Sequence, residues 1–341
     1  DTMTHYATAM VDRWRDGEQL DVNDEMMAVT LDIIAATLLK DASNPGIREI
    51  PEILHFIQAQ YRSVMMMPSW VVEIALRRTD SRVRRLDEIV YPIIEARRAT
   101  GGDEGDILSM LLNARDDDGV GMTDLEVRDE IVILFLAGHE TTANTLNWTF
   151  YLLSQHPDVE AKLHKEVDRV LAGRVPTLAD LQSLPYTAQV VKEAMRLYPP
   201  VPYIGREVVE DIDMGDFTLP AGSMVSILQY LTHRDGQIWD NPLAFDPDRF
   251  SPERENEVHK WAFFPFGGGA RVCIGNGFAM MEAPLVLATV ASRYRLELAP
   301  GAEVVPQSSI TLYPKHGLSM IARRRDPELT QPTREDRVVL A

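Results

Sequence analysis

Apolar residues recur at helical spacing through residues 2–40, broken around Asp16 and Gly17, and an acidic start near Asp21 precedes Met26, Met27, Val29, Leu31, Ile33 and Ile34. This pattern predicts two helices. Residues 50–66 and 83–98 are two further amphipathic stretches, separated by a segment with Pro68 and Trp70, and the Met65, Met66, Met67 cluster reads as pliable core. Gly101, Gly102 and residues 116–119 signal loops. The longest helical candidate spans residues 123–156: it is capped by Thr123, acidic in its first turn, apolar on most faces, and stopped by Pro157. Residues 157–171 and 187–197 predict two more helices. After Pro199 and Pro200 the character changes, and residues 206–209, 216–219 and 224–228 predict short strands. A strand pair is expected from residues 309–313 and 318–323, then a polar tail from Asp326.

Composition narrows the class. The chain has 341 residues, 45% hydrophobic and 25% charged, the values of a globular protein. Length alone leaves one large domain or two modest ones open; of these the expectation is a single α-rich α+β domain, mainly helical over 1–200, mixed over 201–325, with the tail at 326–341. A net charge of -18 argues against broad binding to nucleic acid or an anionic membrane. The longest apolar run, 131–138, is too short to span a bilayer. One cysteine permits no internal disulfide, so a cytoplasmic setting is expected.

That cysteine, Cys273, lies in the run Phe266-Gly267-Gly268-Gly269-Ala270-Arg271-Val272-Cys273-Ile274-Gly275. Two readings stand for a lone thiol: inert core or metal ligand. Glycines let backbone N–H groups turn towards the sulfur, and Arg271 adds a cation that favours a thiolate. A second unusual run, Ala137-Gly138-His139-Glu140-Thr141-Thr142, places small residues, an acid and hydroxyls inside the longest helix. Gly138 costs about 1 kcal/mol of helix propensity relative to alanine, and burying Glu140 adds to that unless it is paired. His139 points about 100° away from its neighbours on a helix and is a poor second metal ligand. Glu193 and Arg196 share a helical face, a spacing that surface helices also show. Arg249 follows in Phe245-Asp246-Pro247-Asp248-Arg249-Phe250.

The cysteine run resembles the haem-binding loop of the cytochrome P-450 family of haem-thiolate monooxygenases at every motif position, and the other three motifs follow the family's order. The resemblance implies the family's mostly helical fold with small sheets. It implies haem b (iron protoporphyrin IX) held by Cys273, with Phe266, Gly267 and Gly275 shaping the loop. Ala137 and Gly138 would lie along the haem, and Glu140 and Thr141 would supply protons during dioxygen activation. Glu193, Arg196 and Arg249 would form a structural triad, while Arg206 and Arg271 are candidates for the haem propionates. For Arg206 a solvated strand arginine is the plain alternative. Trp239 and His233 fall in a family stretch that is structural. Phe135, Val201, Pro202, Tyr203, Ile204 and Ile310 would line a pocket for a lipophilic substrate such as a fatty acid or terpenoid.

The implied reaction is hydroxylation or epoxidation with electrons from NAD(P)H, delivered by a separate ferredoxin or flavodoxin-type partner and its reductase. Two alternatives are a peroxide-driven peroxygenase, which the intact Glu140 and Thr141 disfavour, and a non-catalytic helical binding protein without haem. Family members normally begin with strands and helices that would precede Asp1, so the fold is expected to be N-terminally incomplete.

Overall fold

The longest helix opens on a reciprocal cap. Glu126 Oε2 accepts from both the N–H and the hydroxyl of Thr123, at 2.7 and 2.8 Å, and Thr123 Oγ1 accepts from the Glu126 N–H at 3.3 Å. This is the capping box that satisfies the orphan donors of a helix start. The geometry comes from a computed structural model, in which residues 1–40, 45–64, 67, 71–72, 77–101 and 103–325 are described. Met65, Met66, Pro68, Trp70, Gly102 and the tail from Asp326 lie outside the described residues.

In chain order the helices are α1 (Thr2–Val11), α2 (Val22–Leu39), α3 (Ile50–Val64), α4 (Asp80–Thr100), α5 (Ile107–Asn113), α6 (Asp124–Gln155), α7 (Pro157–Leu171), α8 (Pro185–Leu197), α9 (Gln229–Thr232), α10 (Pro252–Glu255) and α11 (Asn276–Ala291). Proline stands in the first turn of α7 and α8, where its missing N–H costs nothing. The chain divides into two compact units, Met27–Glu140 on one hand and Met3–Met26 with Thr141–Ala341 on the other.

The unit Met27–Glu140 is helical. Ile33, Leu38, Ile47, Ile50, Ile53, Leu86 and Ile94 form its buried core. Arg97 is buried there with full compensation: Nη1 donates to both Asp106 oxygens at 2.6 and 2.7 Å and to Ser109 Oγ at 2.8 Å, and Nη2 donates to the Leu39 carbonyl at 3.1 Å. Asp106 also caps α5 by accepting from the Ser109 N–H.

The other unit holds every strand among the described residues: β1 (Gln19–Asp21), β2 (Ile204–Glu207), β3 (Ile212–Asp213), β4 (Thr218–Leu219), β5 (Met224–Ile227), β6 (Tyr294–Leu298), β7 (Pro306–Ser308), β8 (Leu312–Pro314) and β9 (Ser319–Arg324). The largest sheet has the order β1-β9-β6, all antiparallel, with Leu20 opposite Met320 and Leu296 opposite Ala322. Pairs β2-β5, β3-β4 and β7-β8 are antiparallel ribbons.

The expected pairing of 309–313 with 318–323 is corrected. β8 pairs with β7 immediately before it, and β9 lies between β1 and β6. Met320 and Ala322 on β9 are fully buried, on a central strand whose two edges are both paired. β1 was not foreseen, because three residues between two helices carry no periodicity of their own.

Candidate active site

Backbone hydrogen bonds close the cysteine loop on itself. The Cys273 N–H donates to the Phe266 carbonyl at 2.9 Å, the Val272 N–H to Gly269 at 3.1 Å and the Gly267 N–H to Phe264 at 2.9 Å. Gly267 sits at φ +72, and a Cβ there would stand 3.3 Å from Ile204 Cδ1, so both conformation and space favour glycine. Cys273 is exposed and free, and α11 starts just beyond it with Gly275 as its N-cap. A thiolate ahead of a helix N-terminus meets the positive end of the helix dipole. Arg271 is exposed at the end of the short 3₁₀ turn Gly269–Arg271, and Val272 and Ile274 are exposed on either side of the cysteine.

This loop is tied to the interior through Phe264. Its N–H donates to His233 Nε2 at 3.1 Å, and its carbonyl accepts from Gln229 Nε2 at 2.6 Å. The imidazole is fully buried, and burial together with Arg196 and Arg234 pushes His233 down to about 3, which leaves Nε2 free to accept. The His233 carbonyl accepts from Arg196 Nη1 at 2.7 Å. Arg196 Nε and Nη2 pair with the two Glu193 oxygens, each at 2.7 Å, and further N–H groups reach the Pro242 and Ala244 carbonyls at 2.7 and 2.9 Å. Every guanidinium N–H is used.

Arg249 completes the expected triad as an ion pair rather than a hydrogen bond. Its Nε stands 3.4 Å from Glu193 Oε1 without hydrogen-bond geometry, and its Nη2 donates to the Asn241 carbonyl at 2.9 Å. Burial pushes the Glu193 carboxyl up, while Arg196, the Asp246 N–H and Arg249 pull the other way. Trp239 lies with its ring 5.1 Å from the Arg196 guanidinium carbon.

The small-and-polar turn of α6 divides its faces. Ala137 is exposed, whereas a Cβ on Gly138 would fall 2.8 Å from Ile34 Cδ1. Gly138 therefore admits α2 to close approach, a packing role the sequence did not suggest. His139 Nδ1 donates to the Phe135 carbonyl at 2.6 Å, its own carbonyl accepts from Thr30 Oγ1 at 3.1 Å, and burial pushes its imidazole down. Glu140 is buried, with His55 Nε2 at 3.6 Å from Oε2. The Thr141 carbonyl accepts from Thr145 Oγ1 at 2.9 Å.

Among the expected pocket residues, Phe135 is fully buried, Pro202 is buried, Val201 and Ile204 are half-buried, and Tyr203 and Ile310 are exposed. Arg206 is exposed on β2 and donates to the Gly205 carbonyl at 2.8 Å. Sequence reasoning missed Glu282, which is fully buried on α11. Burial pushes its carboxyl up to about 8, against a weaker pull from the Thr142 hydroxyl, and neither oxygen has a hydrogen bond of good geometry. An acid inside an apolar helix start was the available signal.

The donor set around Cys273 suits a haem: a soft sulfur, exposed apolar neighbours in Val272 and Ile274, and a cation in Arg271. Among the described residues no cluster of three His, Cys, Asp or Glu side chains could hold a bare ion. No described helix is long and apolar enough to cross a membrane.

Residues 1–320 match the family described as cytochrome P450. Cyclooctatin synthase of Streptomyces melanosporofaciens is 40% identical over 306 residues, 88% of this chain and 67% of the relative. Cyclooctat-9-en-7-ol 5-monooxygenase of the same organism is 38% identical over 86% of this chain and 65% of its own length. Pentalenene oxygenase of Streptomyces avermitilis is 35% identical over 95% and 75%. The chain thus spans about two thirds of the length of the first two. The crystal structure of the cytochrome P450DA heme domain superposes with a TM-score of 0.86 at 31% identity, covering 96% of this chain and 73% of that one. A match over nearly the whole sequence, together with a closely similar fold, means that the chain belongs to the cytochrome P450 family of haem-dependent monooxygenases.

Proposed function

We propose that this chain holds haem b through Cys273 and oxygenates a lipophilic terpenoid, by hydroxylation or epoxidation, with electrons passed from NAD(P)H by a separate ferredoxin or flavodoxin-type donor. The observation that carries this reading is the sole thiol, exposed on a loop tied through Phe264 and His233 to the buried Arg196. Such anchoring keeps a ligand atom in one place at low entropic cost when it is engaged. The bound haem supplies dioxygen activation, and a thiolate ligand favours O–O cleavage.

The remaining work falls to side chains. Arg271 and Arg206 offer exposed cations to the propionates, and Phe266 shields the sulfur from water. Glu140 and Thr141 hold and pass protons to the reacting oxygen. Val201, Pro202, Tyr203, Ile204, Ile310 and Phe135 offer mostly apolar contact, so shape would select the substrate. The relatives' names, a cyclooctat-9-en-7-ol monooxygenase and a pentalenene oxygenase, support a terpenoid substrate. A single free thiol suits a reducing, cytoplasmic compartment.

The test starts with the reduced protein under carbon monoxide. A red-shifted thiolate band is expected, lost in Cys273→Ser. Turnover of cyclic terpenes with NADPH and a surrogate ferredoxin pair should then give a product one oxygen heavier. A protein that takes up haem without that band would overturn the ligand assignment.

A further inference from the structure

His55 is a residue that no motif marks. It lies on α3 and is half exposed at 49% of its side chain, while the Glu140 carboxylate it faces is only 8% exposed. The 3.6 Å separation is that of an ion pair, longer than a hydrogen bond, and catalytic proton contacts commonly tighten only in the working complex. One partner is thus in contact with water and the other is not.

Resting on the monooxygenase reading above, we propose that His55 is the proton donor that recharges Glu140 from solvent. In that step the His55 Nε2–H bond breaks and a Glu140 Oε2–H bond forms. The ring becomes neutral and then takes a new proton from bulk water. Glu140 can be used once per proton delivered, so each turnover needs such a supply.

The surrounding groups favour this assignment. Glu140 holds His55 above the ordinary imidazole value, against the smaller effect of burial, so the ring keeps its proton to higher pH than a free imidazole would. His139 is the other imidazole beside the carboxylate, and it cannot serve: burial keeps it neutral and its Nδ1–H is committed to the Phe135 carbonyl. From α4, Arg82 packs over the ring of the adjacent Phe56, 5.1 Å from its centroid. An arginine keeps its proton throughout.

The experiment compares haem-loaded wild type, His55→Ala and His55→Lys with NADPH and a surrogate ferredoxin pair. Wild type should lose rate as pH rises through the His55 titration, and both variants should lack that limb. Product formed per NADPH consumed should fall several-fold in His55→Ala and recover with added imidazole. His55→Lys keeps a cation beside Glu140, so a merely structural role would leave its coupling intact, whereas a relay role predicts loss. An unchanged pH limb in His55→Ala, or full coupling in His55→Lys, would overturn the proposal. A separate NMR titration of His55 should show its pKa falling in Glu140→Gln, and an unmoved value would sink the pairing itself. Failure of the haem reading is distinguishable, because it removes the carbon monoxide band in wild type and leaves this titration untouched.

Discussion

Glu193 on α8 and Glu282 on α11 are both fully buried in the same unit, and their surroundings differ in every respect that matters for charge. Glu193 faces two N–H groups of Arg196, the Asp246 N–H and the Arg249 guanidinium. Glu282 has the Thr142 hydroxyl beside it, and neither of its oxygens has a hydrogen bond of good geometry. Arg196 cannot give up its proton, so a carboxylate opposite it completes a neutral, hydrogen-bonded unit. With no cation at hand, Glu282 keeps its own proton up to about pH 8. The comparison teaches that burial alone does not assign a role to an acid. A saturated network fixes structure, while a neutral buried acid stores a proton.

The comparison breaks most visibly if the saturated side is cut. Arg196→Leu leaves Glu193 buried without its main partner and should cost about 3–5 kcal/mol of stability in urea unfolding. A loss under 1 kcal/mol, the scale of an exposed pair, would remove the distinction.

The second test is pH. Glu282 has a folded pKa near 8 against 4.5 for a free carboxyl, so the unfolded chain releases a proton that the folded one retains. Its contribution is fully present below about 4.5 and is lost as pH rises towards 8. Glu282→Gln should flatten that part of the stability curve and be the more stable protein at the alkaline end. A wild-type curve already flat over this range would mean that Glu282 is paired after all.

His233→Ala probes the link from the saturated network to the cysteine loop. It strands the Phe264 N–H at a cost of about 1–3 kcal/mol. The loss should come with a weakened thiolate band, which an equally destabilising change elsewhere would not produce. Thr123→Ala is the control that removes no partner of either acid, costing about 1 kcal/mol through loss of the α6 cap with the band unchanged.

Much of the helical framework was legible because its signals are local. The Thr123 cap and Pro157 mark helix starts that the structure reproduces, whereas the helix expected over 187–197 starts two residues earlier, at Pro185. The strands were read less well. β8 and β9 occupy the expected stretches but take other partners, since pairing depends on which segments return to the same place. Of the site, the cysteine run and the Glu193–Arg196 pair were visible as motifs. His55, Glu282 and the packing of Gly138 on Ile34 were not, because each acquires its meaning from a residue distant in the chain.

By itself the sequence determined where the longest helix starts and stops, that one thiol sits in a glycine-rich loop, and that an acid and a hydroxyl interrupt an apolar helix. Those properties follow from residue type and short spacing. Only the tertiary structure decided that Arg196 spends all its donors inside, that Arg249 contributes charge without a hydrogen bond to Glu193, and that His55 reaches Glu140. Protonation and pairing depend on desolvation and on distances of a few ångströms, and those quantities exist only once the chain has folded.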